Sequence, residues 1–99
     1  MAEYVKLTAL SVEKAKPGNT RREIPDGGSG LYLIVQGNGS KSWAFRYRFA
    51  GKPKKLTLGT VATGTAANPP VLGGALSLSG ARALAKIARG AVAAGRDPS

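Results

Sequence analysis

The sequence of 99 residues contains neither cysteine nor histidine. The lack of cysteine excludes a disulfide framework and thiol chemistry, and the lack of histidine removes the commonest general base and zinc ligand. Without histidine the serines have no ordinary activating base, which leaves only a serine–lysine pair open, and no serine is singled out for one. The five carboxylates form no evident pair; they are Glu3, Glu13, Glu23, Asp26 and Asp97. We therefore expect no cofactor, no metal site and no catalysis from this chain.

Long apolar runs and acidic residues are also scarce. No run is long enough to span a bilayer and no signal-peptide pattern is present, so we expect no membrane partner and a cytoplasmic setting. Lys and Arg number 15 against 5 Asp and Glu, which gives a net charge of +10. This imbalance favours an anionic partner, nucleic acid before a membrane surface, although an ordinary basic surface is the alternative. The length indicates a single domain, 1–99.

The strongest local pattern is a strict alternation over residues 42–49, which is typical of a β-strand. One side carries the aromatic residues and the other the small and basic ones; the first are Trp43, Phe45, Tyr47 and Phe49, and the second are Ser42, Ala44, Arg46 and Arg48. Because four aromatic side chains need a core, the arginine side is left for solvent or for an anionic partner.

The other segments predict an α+β fold, in which a three-stranded antiparallel sheet packs on a C-terminal helix. Strands are expected at 31–36, 42–49 and 54–59, a short fourth edge strand at 22–26, helices at 9–15 and 78–94, and an irregular insertion at 60–76. In the first helix, Leu10, Val12 and Ala15 should be partly buried. The core should join the helix stripe to one sheet face; its members are Leu31, Leu33, Val35, Trp43, Phe45, Tyr47, Leu56, Leu58, Ala81, Leu84, Ala85, Ala88 and Val92.

The opposite sheet face and the adjoining hairpins are the candidate binding surface. A β-ribbon fits the DNA major groove, where arginine and glutamine can pair with bases while lysines reach phosphates. The candidate DNA-binding residues are Tyr32, Ile34, Gln36, Lys41, Ser42, Arg46, Arg48, Lys52, Lys54, Lys55 and Thr57. The alternative is a solvated sheet face, but exposed Tyr32 and Ile34 beside arginines favour a contact surface.

Two other patterns favour the simpler interpretation. Residues 39–42 faintly suggest a phosphate loop, but the glycine–lysine spacing is wrong and a strand follows, which indicates a plain hairpin. Arg82, Lys86 and Arg89 form a basic helix stripe that could touch a backbone or a second domain, although a solvated helix face is favoured.

Taken in order, several motifs resemble the N-terminal arm-type DNA-binding domain of phage-type tyrosine recombinases, the integrases of prophages and genomic islands. They are Leu7-Thr8, Ala15-Lys16-Pro17-Gly18, Glu23-Ile24-Pro25-Asp26, Gly30-Leu31-Tyr32-Leu33, Gly39-Ser40-Lys41-Ser42-Trp43, Phe45-Arg46-Tyr47-Arg48, Leu56-Thr57-Leu58-Gly59, Leu76-Ser77-Leu78 with Ala81-Arg82, and Gly95-Arg96-Asp97-Pro98. Each motif alone is weak, but the ordered set is specific and covers nearly the whole chain.

The resemblance implies a non-catalytic fragment of a longer integrase that binds arm-type sites in double-stranded DNA with its sheet. Its implied partners are the missing catalytic domain and other integrase protomers. Two departures stand out: the connection at 60–75 is longer than usual, and Ser79-Gly80 replaces an Ala-Glu pair, which predicts a frayed first helical turn. The alternative function is an RNA- or protein-binding module on the same scaffold.

Overall fold

The computed structural model of the protein describes residues 7–15, 21–27, 29–62, 66 and 68–98. In this part of the chain, the helices are α1 (Ala9–Lys14) and α2 (Leu78–Ala93), and the strands are β1 (Arg22–Pro25), β2 (Leu31–Val35), β3 (Lys41–Phe49), β4 (Lys52–Val61) and β5 (Ala75–Leu76). The strands form one sheet in the order β1-β2-β3-β4-β5, antiparallel except for the parallel β4–β5 pair. The α+β class is confirmed, but the sheet is mixed and larger than predicted.

The alternation of β3 is confirmed. Trp43, Phe45 and Tyr47 are buried, whereas Arg46 and Arg48 are exposed on the other side. Trp43 also donates its indole N–H to the carbonyl of Leu76, with Nε1 and O 3.0 Å apart. The central aromatic residue therefore fixes both the face of β3 and the position of β5.

The edge strand predicted at 22–26 exists as β1, where Ile24 pairs with the buried Leu33 of β2. β4 is longer than predicted, because it begins at Lys52 rather than at residue 54 and continues to Val61. Pro53 is tolerated inside β4 because β5 pairs only with the far end of that strand, so no neighbour needs the missing N–H.

The expectation of an irregular segment at 60–76 is wrong at both of its ends. Thr60 and Val61 continue β4, and Ala75 and Leu76 form β5 beside them. The backbones approach closely at Gly59, where an added Cβ would lie 2.3 Å from the carbonyl oxygen of Gly74. A β-bulge near this point, opposite Trp43 and Ala44 of β3, shifts the register. Residues 63–65 and 67, which belong to the same predicted segment, lie outside the described residues.

Both helices start where the sequence predicts, each with a side-chain cap. Thr8 accepts a hydrogen bond from the Ser11 amide, and Val12 packs into the core. Leu10 was expected to be partly buried, which is wrong because it is 57% exposed. Two residues correspond to a rotation of about 200° around a helix, so Leu10 and Val12 point to opposite sides.

The frayed first turn predicted for α2 is not observed. Ser77 accepts a hydrogen bond from the Gly80 amide at 3.1 Å, and Gly80 itself is buried next to Pro70. Beyond this turn, Ala81, Ala85 and Ala88 form the buried side of the helix, as predicted. Their small side chains let α2 lie close to the sheet.

Arg82 departs from the solvated helix face that the sequence favours. Its guanidinium donates to both carboxylate oxygens of Asp26, at 2.8 and 2.9 Å, and to the carbonyl of Leu7 at 2.7 Å. Arg89 donates to the carbonyl of Ser29 at 3.1 Å. Arg82 and Arg89 therefore tie α2 to the segment before α1 and to the connection between β1 and β2, and Arg82 is a structural residue.

Candidate nucleic-acid interface

The sheet face turned away from α2 is called the open face from here on. It is defined by alternate residues of the three middle strands and the residue after β2, which are Tyr32, Gln36, Ser42, Arg46, Arg48, Lys55 and Thr57. The last four are exposed, and the first three are half-buried. The structure therefore brings seven of the eleven predicted DNA-binding residues to accessible positions on one surface.

Arg46 lies at the centre of the open face and is held by two neighbours. Its Nη2 donates to a carboxylate oxygen of Glu23, and its guanidinium carbon lies 5.3 Å from the centroid of the Tyr32 ring. Since Glu23 is on β1 and Arg46 is on β3, the side chain crosses over β2. A cation above an aromatic face is an attractive arrangement that also limits the motion of the guanidinium.

The expected exposure of Ile34 is wrong. Ile34 is 2% exposed and Ala44 is 1% exposed, although both lie on the open side of the sheet. By register, Ile34 lies between Glu23 of β1 and Ser42 of β3. Because β1 adds a strand beyond β2 and the Glu23–Arg46 bridge passes over β2, Ile34 is an interior position that a DNA surface cannot reach.

Arg48 and Lys55 extend the positive charge of the open face along β3 and β4. Lys55 lies opposite Arg46 in the antiparallel register. Partial desolvation and then the charges of Arg21 and Arg46 lower the pKa of Lys55. These cations repel one another in the free protein, so an approaching polyanion would relieve the repulsion.

Lys52 and Lys54 lie on the helix side of the sheet rather than beside the open face. They pair with Phe49 and Tyr47, whose side chains point toward α2. Lys54 forms an ion pair with Asp97, and the hydrogen bond to that carboxylate raises the pKa of Lys54. The expectation that these lysines flank the arginine surface is wrong, because the strand alternation extends into the hairpin.

Lys41 also lies away from the open face and contacts α1. Its Nζ donates to the carbonyl oxygens of Val12 and Glu13, at 2.8 and 2.9 Å. These carbonyls belong to the last turn of α1, where a cation compensates unpaired acceptors and the negative end of the helix dipole. Lys41 therefore anchors α1 to β3, and the phosphate contact predicted for it stays a prediction.

Two absences concern the described part of the chain. No group of three or more metal-ligating side chains comes together there. Among the same residues, no helix is both long and apolar enough to cross a membrane. The open face is a basic surface with hydroxyl, amide and guanidinium donors, which is the kind of surface that binds phosphates and base edges.

Comparison with known proteins places this surface in context. The Arm DNA-binding domain family matches the chain over residues 7–99. The chain belongs to this family. The resemblance of the ordered motifs to an arm DNA-binding domain is thereby confirmed.

Two curated relatives are integrases. The integrase of Shigella phage Sf6 is 45% identical over 53 residues, which make up 54% of this chain and 14% of that protein. The prophage integrase IntS of Escherichia coli matches with the same identity and coverage. The stretch shared with this arm DNA-binding domain is thus a small part of each relative's length.

Sequence reasoning missed two charged residues beside the arm DNA-binding domain's open face, Arg21 and Glu23. Glu23 is bonded to Arg46, and its second oxygen lies 3.6 Å from Arg21 Nη2. The signal for Glu23 was present, since Ile24 predicts the inward side of β1 and its neighbours must then point outward. Its partner could not be predicted, because Glu23 and Arg46 are on different strands.

Proposed function

We propose that this arm DNA-binding domain binds arm-type sites in double-stranded DNA with its open face, as the N-terminal module of a tyrosine-type integrase. The observation that carries the proposal is the row of exposed residues Arg46, Arg48, Lys55 and Thr57 on two adjacent strands, opposite the core. In the longer protein, a separate domain would cut and rejoin DNA, and this domain would hold it in place. A DNA partner also implies action in the cytoplasm.

The geometry of β3 and β4 suits a major groove. Adjacent strands lie about 4.8 Å apart, so a two-stranded ribbon is narrower than the groove width of about 12 Å. With the ribbon in the groove, Arg46 on β3 is positioned for base edges. Lys55 on β4 and Arg48 near the hairpin end lie closer to the phosphate backbones.

Salt dependence of binding tests this assignment. Arg48→Ala and Lys55→Ala should each lower the slope of log affinity against log salt concentration by about 0.9, the value for one neutralised phosphate. Lys52→Ala is the matched control, because Lys52 is equally basic and exposed but lies on the helix side of the sheet. Fluorescence anisotropy with one duplex over several salt concentrations provides the slopes.

Arg46→Ala should behave differently from the phosphate-contact variants. Loss of a guanidinium that pairs with a base should cost about 1–3 kcal/mol on the preferred duplex and much less on a scrambled one. If Lys52→Ala lowers the slope while Arg48→Ala and Lys55→Ala do not, the helix side binds DNA and the proposed assignment is wrong.

A further inference from the structure

Glu23 is an acidic residue on the edge strand β1 that contacts the basic open face through Arg46. One of its carboxylate oxygens accepts from Arg46 Nη2, and the other lies 3.6 Å from Nη2 of Arg21. Its side chain remains 29% exposed. A phosphate that approaches the open face would therefore meet a like charge at the residue that the proposed function makes central.

Folding stability alone does not account for this carboxylate. Exposed ion pairs contribute little to stability because solvent screens them and long side chains lose entropy. A surface that only needed to attract DNA would also bind more strongly without it, since Glu23 offsets part of the positive field. The position of Glu23 instead affects how Arg46 is presented.

We propose that Glu23 is a positioning residue that makes Arg46 selective for a base edge over a phosphate. This inference rests on the proposed function of the open face. A guanidinium has five N–H groups, of which the described residues engage one, at Nη2. The remaining groups suffice for the two parallel bonds that a guanine edge accepts. Swinging Arg46 to a phosphate would break its contacts with both Glu23 and Tyr32.

The test compares two substitutions that remove the same charge, Glu23→Gln and Glu13→Gln. Glu13 is exposed on α1, which packs on the core side, and its carboxylate has no hydrogen bond or ion pair among the described residues. Selection from a random-core duplex library by the wild-type chain supplies the preferred duplex. A scrambled duplex of equal length and composition is the reference. Both duplexes are titrated with wild type, E23Q, E13Q, R46A and the double variant E23Q/R46A.

We expect E23Q to bind the scrambled duplex about two- to fivefold more tightly, the scale of one exposed ion pair. Its preference for the selected duplex should fall about tenfold, within the range of one bidentate base contact. E13Q should change both affinities alike and leave the preference intact. In the R46A background, E23Q should no longer change the preference, because the two residues act as one unit.

The results that would contradict this inference alone differ from the result that would also contradict the proposed function. Equal effects of E23Q and E13Q on both duplexes would mean that Glu23 contributes only charge, and the inference would fail while the proposed function stands. If E23Q lowers the preference for the selected duplex as much in the R46A background as in the wild-type background, Glu23 does not act through Arg46. A wild-type chain that enriches no duplex would overturn the proposed function and this inference together. Urea melts of E23Q show whether a lost preference reflects unfolding, in which case Glu23 is structural and the inference fails.

Discussion

At the scale of single residues, Asp26 joins three parts of the chain that are distant in sequence. Its carboxylate accepts from the amide of Leu7 at 2.7 Å and from two nitrogens of Arg82. Asp26 is 3% exposed, so its charge is tolerated only because these donors replace water. The two-point contact with a guanidinium is the strong form of such a pair, and here it holds α2 against the end of β1.

Arg82→Ala should therefore destabilise the protein by about 2–3 kcal/mol. Breaking a buried pair costs about 3–5 kcal/mol, but the Arg82 side chain is 41% exposed, so water can partly replace it beside Asp26. Arg89→Ala is the control on the same helix and should stay within about 0.5 kcal/mol, as exposed positions do. Urea denaturation followed by Trp43 fluorescence measures both. Equal losses would show that Asp26 does not depend on Arg82.

The sequence pattern does not predict which side chains of the site contact one another. Alternation along β3 predicts correctly that Arg46 and Arg48 face away from the core. The same reasoning cannot show that Lys41 is bonded to α1, that Arg82 is bonded to Asp26, or that Glu23 holds Arg46. Each of these pairs spans 23 or more positions. Such contacts depend on how the elements pack, and local periodicity carries no information about that.

At the scale of elements, the β3–β4 hairpin explains why Lys52 and Lys54 lie on the helix side of the sheet rather than beside the open face. Its loop is only Ala50 and Gly51, both with positive φ, of 53° and 77°. A two-residue loop of this kind matches the twist of the strands, but alanine is an unusual residue for it. The sequence predicts a four-residue connection ending at Pro53. The shorter loop instead begins β4 at Lys52 and turns Lys52 and Lys54 toward α2.

The close approach of β4 and β5 leads to a second stability prediction. A side chain at Gly59 would collide with the Gly74 carbonyl, which is part of the backbone and accepts the Thr60 amide at 3.0 Å. Gly59→Ala should therefore destabilise the protein by about 1–3 kcal/mol, as overpacking does. Thermal or urea denaturation provides the value.

The matched substitution for Gly59→Ala is Gly90→Ala in α2. A Cβ at Gly90 would meet nothing within 4 Å, and the position is exposed in a helix. This change should stabilise the protein by about 0.5–1 kcal/mol, because alanine restricts the unfolded chain and favours helix. If both substitutions stabilise the protein, β5 does not pack against Gly59.

At the scale of the whole molecule, charge indicates the class of partner but not the surface that binds it. The net charge of +10 is shared between the open face and the helix side, where Lys54, Lys86 and Arg89 lie. The two faces of the sheet follow from the alternation along β3. β5 could not be predicted, because its two residues have no strand pattern and their position depends on contacts with Trp43 and Gly59.

The kind of nucleic acid is the prediction that belongs to the whole domain. The major groove of B-form DNA admits a β-ribbon, whereas that of A-form RNA is deep and narrow. If β3 and β4 enter the groove, duplex DNA should compete at least about tenfold better than duplex RNA of the same sequence. A DNA–RNA hybrid, with intermediate groove geometry, should rank between them. Competition against a labelled DNA duplex at one fixed salt concentration gives the order.

In this competition, the variants Arg46→Ala and Lys52→Ala distinguish binding in a groove from attraction to phosphates. All three duplexes have phosphates on both strands, so a surface that senses charge alone would not distinguish them well. Arg46→Ala should reduce the difference in affinity between DNA and RNA, because it removes the side chain that the proposed function places at the groove floor. Lys52→Ala should leave this difference unchanged. Equal competition by RNA and DNA, unaffected by Arg46→Ala, would favour an RNA-binding role and would place the open face against a backbone rather than in a groove.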